Sequence, residues 1–178
     1  NATKGDVIAQ EEISEMPLNG RSLTDLAYLV PGVIEQVQGG ATGGGYVVNG
    51  ARSDNTNFVV DGFNNQKAST GGASVKPTVE SMQEFKVQTS GYSAENGRLS
   101  GGVVSMAMKT GTNAPHGAFF DYFRNDALNA RNFFARDIPK LRRNQYGFEF
   151  DGPLVLPKIY NGQNKTFFMM SWEGMRQI

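Results

Sequence analysis

After Pro115 the chain carries three aromatic-rich segments whose polarity alternates residue by residue, and a period of two dictates extended backbone. In Gln145 to Asp151, the residues Tyr146, Phe148 and Phe150 face one way while Gln145, Gly147, Glu149 and Asp151 face the other. In Thr166 to Gly174, Phe168, Met170 and Trp172 share a face, opposite Phe167, Met169, Ser171 and Glu173. Ala118 to Arg124 is aromatic on both faces. No helical period runs through them, so they read as antiparallel strands with one face that requires apolar surroundings. Periodicity alone serves equally the inner face of a soluble β-sandwich and the outer face of a membrane barrel, whose strands need only about 9 to 11 residues. Leu156 to Lys165 links the last two strands and contains Asn161-Gly162, a strong hairpin signal. Asn125 to Pro139 is a longer link that predicts a helical turn at Asn129 to Phe134.

Upstream the pattern is mixed. Gln10 to Met16 and Ser22 to Val30 read as short helices parted by Pro17-Leu18-Asn19-Gly20. Ser22 is the expected N-cap and Asp25 the first-turn acid, with Leu23, Leu26, Ala27 and Val30 as the apolar face and Pro31-Gly32 as the stop. Gln38 to Gly45 is a glycine-rich loop. Tyr46 to Asn49 and Phe58 to Val60 read as a strand pair, the second ending in Asp61-Gly62, which suits positive φ. Asn65 to Lys76 reads as a surface loop, and Pro77 opens a short helix through Met82. Phe85, Val87 and Thr89 alternate with Lys86, Gln88 and Ser90, and Val103, Ser105, Ala107 and Lys109 with Val104, Met106 and Met108, giving two more strands. The sum is a small α+β domain.

A series of glycine- and asparagine-rich pieces punctuates that domain: Pro17-Leu18-Asn19-Gly20-Arg21, Leu29-Val30-Pro31-Gly32-Val33, Val48-Asn49-Gly50-Ala51-Arg52 and Phe58-Val59-Val60-Asp61-Gly62. Glu95-Asn96-Gly97-Arg98, Gly101-Gly102 and Lys109-Thr110-Gly111-Thr112-Asn113 follow. In this order and spacing the chain resembles the plug and first barrel strands of TonB-dependent outer-membrane receptors, of the large variety that carries PLNGR near the plug start and a carboxypeptidase-regulatory-like domain. The resemblance spans nearly the whole chain. It implies an α+β plug-like domain over residues 1–113, followed over 114–178 by three antiparallel β-strands, the start of a transmembrane β-barrel or an open sheet. It also implies an energy-coupling segment ahead of Asn1 and most of the barrel beyond Ile178.

The implied location is the bacterial outer membrane and the implied activity is gated uptake of an unidentified ligand. The implied partners are the remainder of the barrel and an inner-membrane TonB-type energy transducer. The plug motifs carry over onto Arg21, Asn49, Gly50, Arg52, Asp61, Gly62, Arg98, Gly101 and Gly102. Arg21, Arg52, Asp61 and Arg98 are expected to seat plug against barrel, because charges in such an interface need partners. Gln38 to Gly45 and Asn64 to Gly72 are the expected ligand-facing loops. Three strands cannot close a barrel of the roughly 22 strands that plugged transporters use. Two other readings follow from the open edges: self-association of strands into an extracellular filament, and a soluble periplasmic binding module whose strands fold back over the plug.

Composition narrows the chemistry. Lys+Arg 17 against Asp+Glu 17 leaves no net field for a polyanion, so nucleic-acid binding lacks its electrostatic signature. Lys140, Arg142 and Arg143 form the densest basic run and read as a solvated loop or strand entrance. With Cys 0, disulfides and thiolate metal sites are excluded. No window approaches the roughly 18 apolar residues of a membrane helix, which leaves strand-built membrane insertion untouched. His116, the sole histidine, sits between Pro115 and Gly117 at a strand start and reads as structural or exposed. Glu149 and Asp151 share a strand face, read as ion-paired with Arg142 and Arg143 inside a polar lumen. The acid and amide residues between Asp54 and Asn65 lack the spacing of a calcium loop, and Gly39 to Gly45 does not end in a phosphate-loop Lys-Ser/Thr. No catalytic residue, cofactor or metal is expected.

Overall fold

A computed structural model of the chain describes residues 4–16, 18–35, 46–52, 55–67, 71–93, 95 and 100–178. The chain divides into two compact units, Asn1–Lys109 and Thr110–Ile178.

The first unit is built on a five-stranded sheet in the order β1-β6-β7-β4-β5, comprising β1 (Lys4–Ala9), β4 (Thr56–Val60), β5 (Phe63–Asn64), β6 (Met82–Ser90) and β7 (Gly102–Met108). Only β4 and β7 run parallel. Alternation along β6 buries Phe85, Val87 and Thr89, as its sequence requires. Phe85 and Val87 join Phe58, Val104 and Met106 as the floor of the core. Over it lie Ile13 of helix α1 (Gln10–Glu15) and Leu23, Leu26, Ala27 and Val30. A second, two-stranded ribbon pairs β2 (Val33–Glu35) with β3 (Tyr46–Val48) and contributes Val33, Tyr46 and Val48 to the same core.

Several local expectations are corrected. Leu23–Leu29 winds as a 3-10 helix, and the Ser22 hydroxyl bonds Asp25 Oδ1 at 3.0 Å in place of a backbone cap. A run this short, bounded by Arg21 at φ 55 and the Pro31-Gly32 turn, takes the tighter winding while still burying the anticipated face. Tyr46–Val48 does not pair with Thr56–Val60. β3 pairs with β2 instead, and β4 takes β7 and β5 as neighbours. The two predicted partners still touch: Thr56 Oγ1 donates to the Tyr46 carbonyl at 3.0 Å, and the Tyr46 and Phe58 rings lie 5.6 Å apart. Pro77 does not open a helix; a single 3-10 turn, Val79–Ser81, starts after Thr78, and Met82 already belongs to β6. Strand β1 had no sequence signal, because Gly5 and Asp6 break its alternation, and pairing with β6 supplies its conformation.

The second unit is a three-stranded antiparallel sheet in the order β12-β9-β8, with β8 (His116–Asn125), β9 (Arg142–Pro153) and β12 (Phe167–Gln177). The strands run longer than the alternating segments suggest, because hydrogen-bond pairing carries them into polar ends. The β8–β9 link forms its helical turn at Asp126–Leu128 rather than at Asn129 to Phe134, since Asn125 Oδ1 accepts the Ala127 N–H and fixes the turn at once. The β9–β12 link holds a small ribbon of β10 (Val155–Leu156) with β11 (Tyr160–Asn161). Its left-handed residues are Lys158 and Asn164, not Asn161-Gly162. Gly162 is required for space: a Cβ there would lie 2.5 Å from the Leu154 carbonyl oxygen.

Candidate functional site

The glycine and asparagine motifs are turns that tie the first unit together. Asn49 (φ 51) and Gly50 (φ 77) reverse the chain after β3, closed by the Ala51 N–H donating to the Val48 carbonyl at 2.9 Å. The Asn49 N–H donates to Gly32 O and its Nδ2 to Thr89 O, both at 2.8 Å, so this one side chain joins the β2–β3 ribbon to the large sheet. Asp61 (φ 47) and Gly62 (φ 83) turn β4 into β5 as predicted. Asp61 Oδ1 accepts the Met108 N–H at 2.9 Å, pinning that hairpin to the end of β7. Gly101 and Gly102 are defined by close approach: a Cβ on the first would lie 2.7 Å from Asn55 O, and on the second 2.9 Å from Val48 Cγ1.

Of the four charges expected to seat plug on barrel, Arg21 and Asp61 are engaged inside the first unit. Arg21 Nη2 pairs with Glu80 Oε1, with side chains 8% and 16% exposed. Arg52 is exposed on the turn before β4, where its carbonyl accepts the Asn55 N–H at 3.0 Å. Arg98 lies outside the described residues, as does the Gln38 to Gly45 loop. Glu80 and Thr89 gave no signal in the sequence, because each acts on a motif residue 59 or 40 positions away.

In the expected ligand-facing loop, Asn65 is a buried clamp. Its Nδ2 donates to Val75 O and its Oδ1 accepts the Val75 N–H, both at 2.8 Å. Asn65→Ala removes two part-buried hydrogen bonds to Val75, each worth about 1 kcal/mol, so a loss of about 2 kcal/mol is expected. Faster amide exchange at Val75 together with a lower denaturation midpoint is the measurement; unchanged exchange would show that the loop holds itself.

The second unit presents two unlike faces. Register places Phe119, Phe148 and Trp172 in one rung, Phe150 with Met170 in the next, and Phe168 opposite Gly152. These rings touch along the sheet, with Phe119–Phe150 at 5.1 Å, Phe148–Phe150 at 5.7 Å and Tyr146–Trp172 at 5.6 Å, yet most of them stay exposed. Asp121 is the one acid on this face, opposite Tyr146, and the Asn144 amide donates to it. The other face carries Gln145, Glu149 and Asp151 on β9 and Ser171 and Glu173 on β12. Phe120 lies over Gly147 there, as Phe150 lies over Gly117 on the aromatic face; an added Cβ would come within 2.5 Å of either ring.

The expected pairing of Glu149 and Asp151 with Arg142 and Arg143 does not follow from this register. Arg142 belongs to the opposite face, and Arg143 sits several rungs away, donating from Nε to Gln177 Oε1 at 2.8 Å. Asp151 Oδ1 instead lies 3.4 Å from Nδ1 of the exposed His116.

Residues 2–104 match the family model for the TonB-dependent receptor plug domain, and residues 107–178 that for an outer membrane beta barrel domain. The TonB-dependent transporter Oar of Myxococcus xanthus is 32% identical over 148 residues, covering 79% of this chain and 13% of Oar. Among solved structures, the siderophore receptor PirA from Acinetobacter baumannii superposes with a TM-score of 0.62 at 24% identity, over 85% of this chain and 22% of PirA. The outer membrane transporter YddB from Escherichia coli gives 0.61 at 18% identity, over 85% of this chain and 24% of its own. The ferric-catecholate import receptor Fiu of the same species gives 0.53 at 17%, over 99% and 27%. The chain therefore spans only a small part of each of these proteins. A filament built from open strand edges finds no support among them. With a plug model matching more than half of its residues and a barrel model most of the remainder, the chain belongs to the TonB-dependent receptors of the bacterial outer membrane, as a plug domain followed by the start of the barrel wall.

Proposed function

We propose that this chain is the gate and the beginning of the wall of an energy-coupled transporter, binding and passing a ligand without changing it covalently. The observation that carries the reading is the pairing of two differently built units: one with its own buried core, the other a sheet with an exposed aromatic face and an opposite face on which Gln145, Glu149, Asp151 and Glu173 lie among Phe120, Tyr122 and Met169. A sheet so divided suits lipid on one side and a polar lumen on the other. The remaining barrel strands are the partners of the β8 and β12 edges, whose free N–H and C=O groups are intolerable in hydrocarbon. A TonB-type transducer, acting through a segment ahead of the plug, is the source of work. Arg52 and Arg98 are the charges we assign to the seat of plug on wall, and the loop over 64–72 contributes to the ligand-facing surface.

Planar-bilayer conductance of the complete barrel protein tests this. The parent is expected to be silent, deletion of residues 1–109 to open a large steady pore, and Arg52→Ala to give brief openings. A deletion that stays sealed overturns the gating assignment; a silent Arg52→Ala removes that residue from the seat.

A further inference from the structure

The covalent junction between the two units, Lys109–Thr110, is fastened on both sides. On the side of the first unit, Asp61 Oδ1 accepts the Met108 N–H and the Lys109 N–H donates to the Ser81 carbonyl, both at 2.9 Å. On the side of the second, Gly111 lies flush against β9 and β12: an added Cβ would come within 2.7 Å of Phe168 O, 2.9 Å of Gly152 O and 3.0 Å of Phe167 Cβ. Two residues on, Asn113 and Asn164 form a reciprocal clasp. Asn113 Nδ2 donates to Asn164 Oδ1 at 2.6 Å, and the Asn164 N–H donates to Asn113 Oδ1 at 2.7 Å. Pro115 then packs on Gly152, where an added Cβ would lie 3.1 Å from Pro115 Cα.

Residues 111–115 are therefore a strap laid on the ends of β9 and β12, while Met108 and Lys109 are held by the first unit. Thr112 Oγ1 donates to the Ala114 carbonyl at 2.9 Å and stiffens the strap between its two points of attachment. The clasp also fixes register. A slip of one residue would set Thr112 or Ala114 against Asn164, and neither carries the amide that both gives and receives a hydrogen bond. Thr110, exposed and without a tie of either kind among the described residues, is the one residue between the two sets of fastenings. Backbone rotation concentrates where φ and ψ are unrestrained, and hinges are a few element-terminal residues of this sort.

We infer that Thr110 is the pivot of the gate, and that Asn113 is the positioning residue that confines movement to it by holding the strap on the wall while the first unit opens. The C-terminal end of the plug then keeps a fixed point of attachment through each opening, and the closed state is recovered in one register. The inference rests on the gate reading proposed above.

The test uses the complete barrel protein in detergent, with hydrogen exchange resolved to single amides across a urea series and strand β6 as the reporter of opening in the first unit. The Lys109 amide is expected to lose protection together with β6, whereas the Asn164 amide stays protected at urea concentrations that leave β6 fully exchanged. Asn113→Ala is expected to speed exchange at Asn164 about tenfold, as loss of one hydrogen bond requires, and to leave β6 unchanged. In planar bilayers with potassium chloride as current carrier, the same variant is expected to give brief openings and Asn113→Asp to restore silence. The introduced carboxylate still accepts the Asn164 N–H, and the Asn164 amide turns over to donate to it. Asn164 protection lost in step with β6 overturns the inference, as does Lys109 protection that outlasts β6 or an Asn113→Ala channel as silent as the parent. Heat-modifiable electrophoretic mobility reports barrel closure separately; if Asn113→Ala fails to close, Asn164→Gly, which suits the left-handed backbone at φ 60 and removes the other amide, decides in its place. Deletion of residues 1–109 tests the gate reading by itself. A sealed deletion protein sinks that reading, whereas an open one whose parent exchanges Asn164 along with β6 sinks only the pivot.

Discussion

Arg21→Ala is expected to destabilise the first unit by about 3–5 kcal/mol, the cost of leaving one partner of a buried ion pair in place without the other. Arg21 ends the 3-10 turn Asn19–Arg21 and Glu80 lies in the turn Val79–Ser81, so the pair bolts two short turns that flank the core at Leu23, Val79 and Met82. Neither turn has enough hydrogen bonds to hold itself. Against a total stability of about 5–15 kcal/mol for a domain, the loss brings the plug close to spontaneous unfolding. Urea titration of the complete protein, followed by a probe in the first unit, measures it. Arg21→Met combined with Glu80→Leu should recover most of the stability, because the desolvated charge is then gone as well. If Arg21 served chiefly to seat plug on barrel, the single variant would leak in bilayers with its unfolding midpoint unmoved, and the internal-bolt assignment would fail.

Legibility in the sequence followed the range of the forces involved. Where neighbours a few residues apart decide the outcome, the residues declared it: the alternation of Phe85, Val87 and Thr89, the buried stripe Leu23, Leu26, Ala27 and Val30, and the Asp61-Gly62 turn all stand as read. Partner choice was different. Tyr46–Val48 and Thr56–Val60 are both strands, but nothing local distinguishes each other's edges from those of Val33–Glu35 or Gly102–Met108, and the parallel pairing of β4 with β7 spans more than forty residues. Strand β1 exists because β6 offers it an edge, whatever Gly5 and Asp6 prefer. The Asn161-Gly162 signal misled because a crowded approach to Leu154 O demands a glycine there as firmly as a positive φ would. The candidate site divides the same way. Motif positions were recognisable as turns, whereas the inward commitment of Arg21 to Glu80 and of Asp61 to Met108 arises only on folding.

The sidedness of the wall yields the other large expectation. Phe148 occupies the middle rung of the aromatic face, between Phe119 at 6.4 Å and Trp172 stacked at 6.2 Å. Phe148→Arg would place a cation where the wall reading puts the bilayer interior, at a cost of about 2–4 kcal/mol. Ser171→Arg lies one residue from that rung but on the opposite face, directly across from Glu149, where a cation meets a carboxylate. Its cost should be under about 1 kcal/mol. Reversible folding of the complete barrel into phosphatidylcholine vesicles, titrated with guanidinium, gives both values on one scale. The contrast between them, more than either value, carries the argument, since the two sites share depth and differ only in the side of the sheet. Equal costs would mean that both faces meet the same medium, and the exposed rings of Phe119, Phe150 and Trp172 would then need a protein partner in place of lipid.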